Sequence, residues 1–312
     1  MTIPSLRKLV QWKLRSRALE LGQRTLIMGV VNITPDSFSD GGRFFDSQAA
    51  IAHAIHLLDE GADLLDLGAE STRPGSRAGG ADGTVAAPTV SSDEEQARLL
   101  PVLQGILKQR PDAIVSVDTY KAQTALAALA AGAEIVNDVS GLFWDPGMAS
   151  VCANAACGVI LMHTRGRPEE WATQAQLPPE ELLATVRSGL QASLGKAVEA
   201  GIAPDAIVLD PGYGFGKRGD ENFALLAKQA ELLSLGRPLL AGVSRKSFLG
   251  RALSPLHGGK TAPVEARETA SVAALVAAIL NGASIVRVHS VRAAVEAALV
   301  ADHVRRNLTP EN

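Results

Sequence analysis

Ala206-Ile-Val-Leu-Asp-Pro-Gly-Tyr-Gly-Phe-Gly-Lys217 runs from an apolar, β-branched stretch into Asp210-Pro211 and then a glycine-rich loop that closes on Lys217. Pro211 cannot donate to a strand ladder and ends it. Gly212, Gly214 and Gly216 let the backbone take positive φ and come close to a ligand. The stretch reads as a strand that delivers the Asp210 carboxylate at its C-terminal end, with Phe215 and Lys217 just above it. Taken alone, Asp210 serves equally well as a cap for the following helix. The same grammar recurs seven more times along the chain, and that repetition decides the fold.

Runs rich in Val, Ile and Leu occur at Leu26–Val31, Leu64–Leu67, Ala113–Val117 and Glu134–Val136, then at Gly158–Met162, Ala206–Leu209, Pro238–Val243 and Ser284–Val288. They are short and continuously apolar, the pattern of strands buried on both faces. Helical patterns lie between them at Ser47–Glu60, Ser92–Gln109, Lys121–Ala131, Pro146–Ala155, Pro179–Ala200, Asn222–Leu235, Val264–Leu280 and Val291–Arg306. Gly61, Gly132, Gly201, Gly236 and Gly282 stand where a helix-ending glycine is expected. A strand count of eight, each followed by a helix, in 312 residues favours a single (β/α)8 TIM barrel over a doubly wound sheet. On this reading residues 1–25 are an N-terminal extension covering the bottom of the barrel, 26–306 form the barrel and 307–312 are a tail. The Gly/Ala/Ser-rich residues 74–91 become a long loop on the functional face.

Composition narrows the function classes. A net charge of −3 and 4% aromatics give no sign of a nucleic-acid partner. The longest apolar run, Ala270–Leu280, falls short of the roughly 18–20 residues that span a bilayer, so no membrane partner is expected. Lys8, Lys13, Arg15 and Arg17 interrupt the N-terminal stretch and deny it a signal-peptide core. Cys152 and Cys157 match no zinc spacing and read as small core residues of a cytoplasmic protein.

In a barrel the strand ends converge on one mouth. Here they lead to Asn32, to Asp66 and Glu70-Ser-Thr-Arg-Pro-Gly75, to Asp118, to Asn137 and Asp138, to His163, to Asp210, to Ser244-Arg-Lys-Ser247, and to Arg287 and His289. Any one of these can be a turn or capping residue; polar closure of all eight strands points to a site. Arg73, Arg287 and His289 make a patch for a phosphate-rich anion. Asn32 and Thr72 add neutral oxygens, and Asn32 suits a hard cation such as Mg2+, which keeps few protein ligands beside substrate phosphate. Asp118, Asn137, Asp210 and Lys246 form a second set, suited to a flat heterocycle that offers adjacent N–H donors. Together they describe a small molecule with a heterocyclic head and a diphosphate leaving group.

Rival motifs fail on context. Gly214-Phe-Gly-Lys-Arg-Gly219 matches G-x-G-x-x-G, but Asp-Pro intervenes after the strand and the next strand carries no ribose-binding acid. Gly216-Lys217 is followed by Arg218, so it is no P-loop, and no G-x-S-x-G nucleophile occurs. His53 and His56 share a helix face away from the mouth.

With these residues assembled, the chain resembles the dihydropteroate synthases of the pterin-binding barrel superfamily, from about Leu26 to about Ala301. The resemblance is carried by Met28-Gly-Val-Val-Asn-Ile-Thr-Pro-Asp-Ser-Phe-Ser-Asp-Gly-Gly42, Gly68-Ala-Glu-Ser-Thr-Arg-Pro-Gly75, Asp210–Lys217 and Ser244-Arg-Lys-Ser-Phe-Leu-Gly250. It implies condensation of 6-hydroxymethyl-7,8-dihydropterin diphosphate with p-aminobenzoate, assisted by Mg2+, in a cytoplasmic homodimer. It assigns Asp118, Asn137, Asp210 and Lys246 to the pterin, and Asn32, Thr72, Arg73, Arg287 and His289 to the diphosphate, Asn32 through the metal. It assigns Phe38, Thr72, Pro74, Phe215 and Ser247 to p-aminobenzoate, and makes Asn32, Asp118, Asp210, Lys246 and Arg287 the catalytic set. Helix Val272–Leu280 becomes the expected dimer contact. Ser290 follows His289 where the family often has Asp, which predicts a less firmly oriented His289 ring. His163 receives no role.

Two other functions share part of this pattern. A methyltetrahydrofolate:corrinoid methyltransferase on the same barrel needs neither the Thr34–Asp40 loop nor Ser244-Arg-Lys-Ser247, and both are present. A non-catalytic pterin-binding paralogue is expected to have lost Asn32, Asp118, Lys246 or Arg287, and all are retained.

Overall fold

The computed structural model describes residues 7–33, 43–70 and 90–308. Eight parallel strands close into a barrel: β3 (Leu26–Asn32), β4 (Leu64–Gly68), β5 (Val115–Asp118), β6 (Ile135–Asp138), β7 (Gly158–Met162), β8 (Ile207–Asp210), β9 (Leu239–Ala241) and β10 (Ala283–Val288), with β10 pairing both β9 and β3. Every strand that the sequence predicts is present, with ends shifted by a few residues. The helices around it are α1 (Arg43–Asp59), α2 (Ser92–Gln109), α3 (Ala122–Ala130), α4 (Met148–Ala155), α5 (Pro179–Glu199), α6 (Glu221–Lys228), α7 (Ser247–Ala252), α8 (Glu268–Leu280) and α9 (Val291–Leu308). The five expected helix-ending glycines all have positive φ, from 73° at Gly236 to 111° at Gly132.

Strand alternation sorts the core into two clusters. Ile27, Val31, Leu65, Leu67, Val136, Val159, Leu161 and Leu209 face outward and pack under the helices. Leu26, Met28, Leu64, Ile135, Ile160, Val208, Leu240 and Ile285 face inward and fill the lower barrel. The same inward parity, continued toward the C-terminal ends, reaches Asn32, Asp66, Asp118, Asn137, Met162, Asp210, Arg287 and His289. A dry floor and a polar mouth are two halves of one alternation.

The N-terminal segment is more ordered than the sequence reading required. Strands β1 (Val10–Lys13) and β2 (Ala18–Leu21) form an antiparallel hairpin whose Trp12, Leu14 and Leu21 join the inward cluster. Trp12 is 1% exposed, and its Nε1–H donates to the Ala206 carbonyl at 2.8 Å. Arg7 and Thr25 both bond to the Asp302 carboxylate, which ties this segment to α9.

Two helices depart from expectation. The pattern over Asn222–Leu235 predicts one helix, yet α6 stops at Lys228 and continues as a 3-10 segment, Gln229–Leu235. Gln229 is fully buried; its amide donates to the Ala278 and Asn281 carbonyls and accepts from the Tyr213 hydroxyl. Three partners for one side chain override the regular helical path. The short α7 was not expected, and it opens at Ser247 directly after Lys246.

Candidate functional site

Asp210 ends β8 inside the mouth, and its Oδ1 accepts from the Gly212 N–H at 2.7 Å. Gly212 has φ +70°, and a Cβ there would lie 2.0 Å from the His163 carbonyl oxygen. Only glycine lets the chain turn so tightly against β7. Lys217 does not face the mouth as an open cation. It is 3% exposed, and its Nζ donates to the His163 and Gly212 carbonyls at 2.8 Å each, stapling the loop to β7. Burial pushes its pKa well down, with partial relief from Asp210. Arg165 closes the far side of the same loop through the Gly216 carbonyl and Glu221.

The cation above Asp210 is Lys246, whose Nζ lies 4.1 Å from the centre of the Phe215 ring. Burial raises the Asp210 pKa, opposed by the Gly212 N–H and by Lys246. Phe215 in turn meets Trp171 edge-on, ring centres 5.1 Å apart. Arg245, just before the lysine, holds φ +58°. Its N–H is fixed on Ser271 Oγ and its carbonyl on Arg267, so the turn that presents Lys246 is clamped from behind.

On β10, the neighbour of β9, Arg287 lies between two carboxylates. Its Nε donates to Asp66 Oδ2 at 2.6 Å and an Nη to Asp118 Oδ2 at 2.8 Å. Burial works against its charge, but the two acids outweigh it and hold the guanidinium above its usual pKa. Asp118 is pushed up to about 7, mainly by burial, with Arg287 pulling it down and Asp66 pushing it further up. Asn137 pairs across the register with Asp118 and donates its Nδ2–H to the same Asp66 oxygen at 3.0 Å. A Cβ built on Gly242 would sit 3.8 Å from Asp210 and 3.9 Å from Arg287, so these two groups flank one point.

His289 is steadied by Ser244, whose Oγ accepts the His289 backbone N–H at 3.3 Å and lies 3.1 Å from Nδ1. When that hydroxyl donates its proton to Nδ1, the ring proton sits on Nε2, a donor suited to an anion. Ser290, which follows His289, turns its hydroxyl to Arg245, from which it accepts.

The structure thus gathers Asp118, Asn137, Asp210, Lys246, Arg287 and Phe215 at one mouth, with Asn32 on the inward parity at the end of β3 and Ser247 exposed at the start of α7. Phe38, Thr72, Arg73 and Pro74 lie outside the described residues, as does most of the 74–91 loop. Glu70, which leads into that loop, pairs with Lys121, and Lys121 also reaches the buried Glu95 at 3.1 Å. Asp138 and His163 face outward. Asp138 accepts from the backbone N–H groups of Ser140 and Leu142. His163 is buried against Gly189 of α5, and burial lowers its pKa well below the usual value. Sequence reasoning missed the roles of Asp66 and Ser244, although counting in twos along β4 from Leu64 would have placed Asp66 inside.

The pterin-binding enzyme family model matches residues 28–289. A dihydropteroate synthase of Mycobacterium leprae is 43% identical over 273 residues, 87% of this chain and 90% of that protein. The chain belongs to the dihydropteroate synthases of the pterin-binding enzyme family. Solved structures agree. A Xanthomonas albilineans dihydropteroate synthase with 4-aminobenzoic acid has a TM-score of 0.81 at 38% identity, covering 96% of this chain and 99% of its own. A Clostridium difficile dihydropteroate synthase with pteroic acid has a TM-score of 0.80 at 39% identity, covering 92% and 98%. Members of this group are transferases, and so is this chain. Among the described residues no helix is long and apolar enough to cross a membrane.

Proposed function

We propose that this mouth condenses 6-hydroxymethyl-7,8-dihydropterin diphosphate with p-aminobenzoate, giving 7,8-dihydropteroate and diphosphate. The observation that carries the reading is the meeting of two complementary halves. Asp210 and Asn137 are buried and Asp118 half-buried acceptors for a heterocycle rich in N–H donors, and Arg287 stands beside them for the diphosphate. Asp118 and Asp210 face the carbon from which diphosphate leaves, and their negative charge favours cationic character there. Arg287, with His289 oriented by Ser244, receives the charge that builds on the departing oxygen. The aniline nitrogen of p-aminobenzoate attacks that carbon, so the protein needs no nucleophile of its own. Phe215 and the exposed Ser247 mark the side from which p-aminobenzoate enters; the sequence motifs alone add Phe38, Thr72 and Pro74 to the p-aminobenzoate proposal and Thr72 and Arg73 to the diphosphate one.

Among the described residues no three His, Cys, Asp or Glu side chains gather as a metal cage. Asn32 offers a single neutral oxygen, which fits an ion held chiefly by substrate phosphate and water. Mg2+ is such an ion, and when bound it supplies charge neutralisation to the leaving diphosphate. A homodimer is part of the proposal. Most of the apolar face of α8 is turned to the barrel, and the neighbouring α9 carries exposed Leu299, Val300 and Val304; sedimentation that gives a monomer mass rules this out. The activity itself is tested by mass analysis of the product from both substrates and Mg2+. A mass corresponding to 7,8-dihydropteroate is expected, and unchanged substrates with the fully folded protein would overturn the reading.

A further inference from the structure

Asp66 is fully buried in the barrel, two residues below Gly68, the position that pairs with Asp118. The next inward position beneath it is Leu64, part of the dry floor. Its Oδ2 accepts two bonds, from Arg287 Nε and from Asn137 Nδ2, while Oδ1 has no partner among the described residues. A carboxylate oxygen left unpaired in the interior is costly, and an apolar residue would continue the floor without that cost.

The position has a geometric consequence for each partner. Arg287 is held at two points, Nε below on Asp66 and Nη on Asp118, which fixes the plane of the guanidinium. Asn137 sits one inward step above Asp66, so the bond from Nδ2 points its amide nitrogen downward and leaves the carbonyl oxygen as the end turned toward the mouth. One oxygen therefore orients the acceptor for the heterocycle and the donor for the diphosphate together.

Resting on the function proposed above, we propose that Asp66 is a positioning residue that aligns the two halves of the site to each other through its single Oδ2 atom. It touches no substrate and acts through Arg287 and Asn137. The test measures affinities of two probes, 6-hydroxymethyl-7,8-dihydropterin for the Asn137 half and inorganic diphosphate for the Arg287 half, in wild type, Asp66→Ala and Asp66→Asn. Asp66→Ala removes both bonds, and each affinity is expected to fall by about ten-fold or more. Asp66→Asn keeps an acceptor oxygen at the same place, and both affinities are expected to return to within about three-fold of wild type. A residue needed only for folding would shift the thermal midpoint and leave both affinities of the folded protein intact. Retention of either affinity in Asp66→Ala overturns the proposal, and so does an Asp66→Asn protein as weak as Asp66→Ala. If wild type binds neither probe, the functional reading fails instead. Should Asp66→Ala not fold, the wild-type Arg287 Nε–H, assigned by its loss in Arg287→Lys, gives the reading: slow exchange with water supports a fixed guanidinium, and rapid exchange overturns it.

Discussion

Replacing Trp12 by alanine tests whether the N-terminal hairpin belongs to the barrel core or lies loosely on it. Trp12 is 1% exposed and packs among Leu26, Met28, Leu64, Ile135 and Val208 on the barrel floor. Truncating so large a buried ring costs about 3–5 kcal/mol in lost transfer energy and cavity. Losing the 2.8 Å bond leaves the Ala206 carbonyl without that donor and adds about 1 kcal/mol. The sum is about 4–6 kcal/mol, a large share of the stability of any domain. Trp12→Phe keeps most of the ring volume and loses the donor, so about 1–2 kcal/mol is expected. Urea unfolding followed by far-UV circular dichroism measures both, and the fluorescence of the remaining Trp144 and Trp171 gives a second probe. At low temperature, where the variant stays folded, activity should change little, because Trp12 lies at the end of the barrel opposite the mouth. A stability loss below about 1 kcal/mol, or an activity loss at full stability, would show that Trp12 is not a structural part of the barrel floor.

Asp118, with Arg287, Asp66, Glu95 and Lys246 around it, is held near 7, so kcat/KM should fall as pH drops below about 7. Glu95→Gln removes one like charge and should move that limb to lower pH; an unmoved limb would assign it to another group. The sign for stability is opposite. The folded protein favours protonated Asp118, so its contribution is lost as pH rises from the ordinary 3.8 toward about 7. Ser244→Ala removes the hydroxyl contact to the His289 ring and should weaken inhibition by inorganic diphosphate about 3–10-fold, with the KM for p-aminobenzoate unchanged. Gly212→Ala forces a side chain into φ +70° against the His163 carbonyl. It should cost more than about 1–2 kcal/mol of stability and abolish pterin binding; wild-type kinetics from that variant would show that the loop tolerates another path.

The barrel was legible because buried parallel strands leave continuous apolar runs and because glycines end the helices where αL geometry is needed. Most of the site followed from the same periodicity, since polar residues at strand ends have one place to meet. What escaped the reading depends on contacts distant in sequence. The sequence places Lys217 just above Asp210, but not that two carbonyls which only the folded loop brings near claim its ammonium. Gln229 breaks a regular helical pattern through two carbonyls at the end of α8 and a tyrosine sixteen residues back. The β1–β2 hairpin has two strands of four residues each, too short for periodicity to separate from loop. Asp66 was seen as a strand end, and its inward parity shows its role only once Arg287 is known to close the barrel beside β3.

The most direct test of the synthase activity is diphosphate release from 6-hydroxymethyl-7,8-dihydropterin diphosphate, measured with and without p-aminobenzoate and repeated with Lys246→Ala. Release is expected to require p-aminobenzoate and Mg2+, and to fall about 10–100-fold in kcat/KM when the Lys246 charge is lost. Tight pterin binding with no release would make this a binding protein on an enzyme's scaffold, and release unaffected by Lys246→Ala would contradict the placement of the pterin between Asp210 and Lys246.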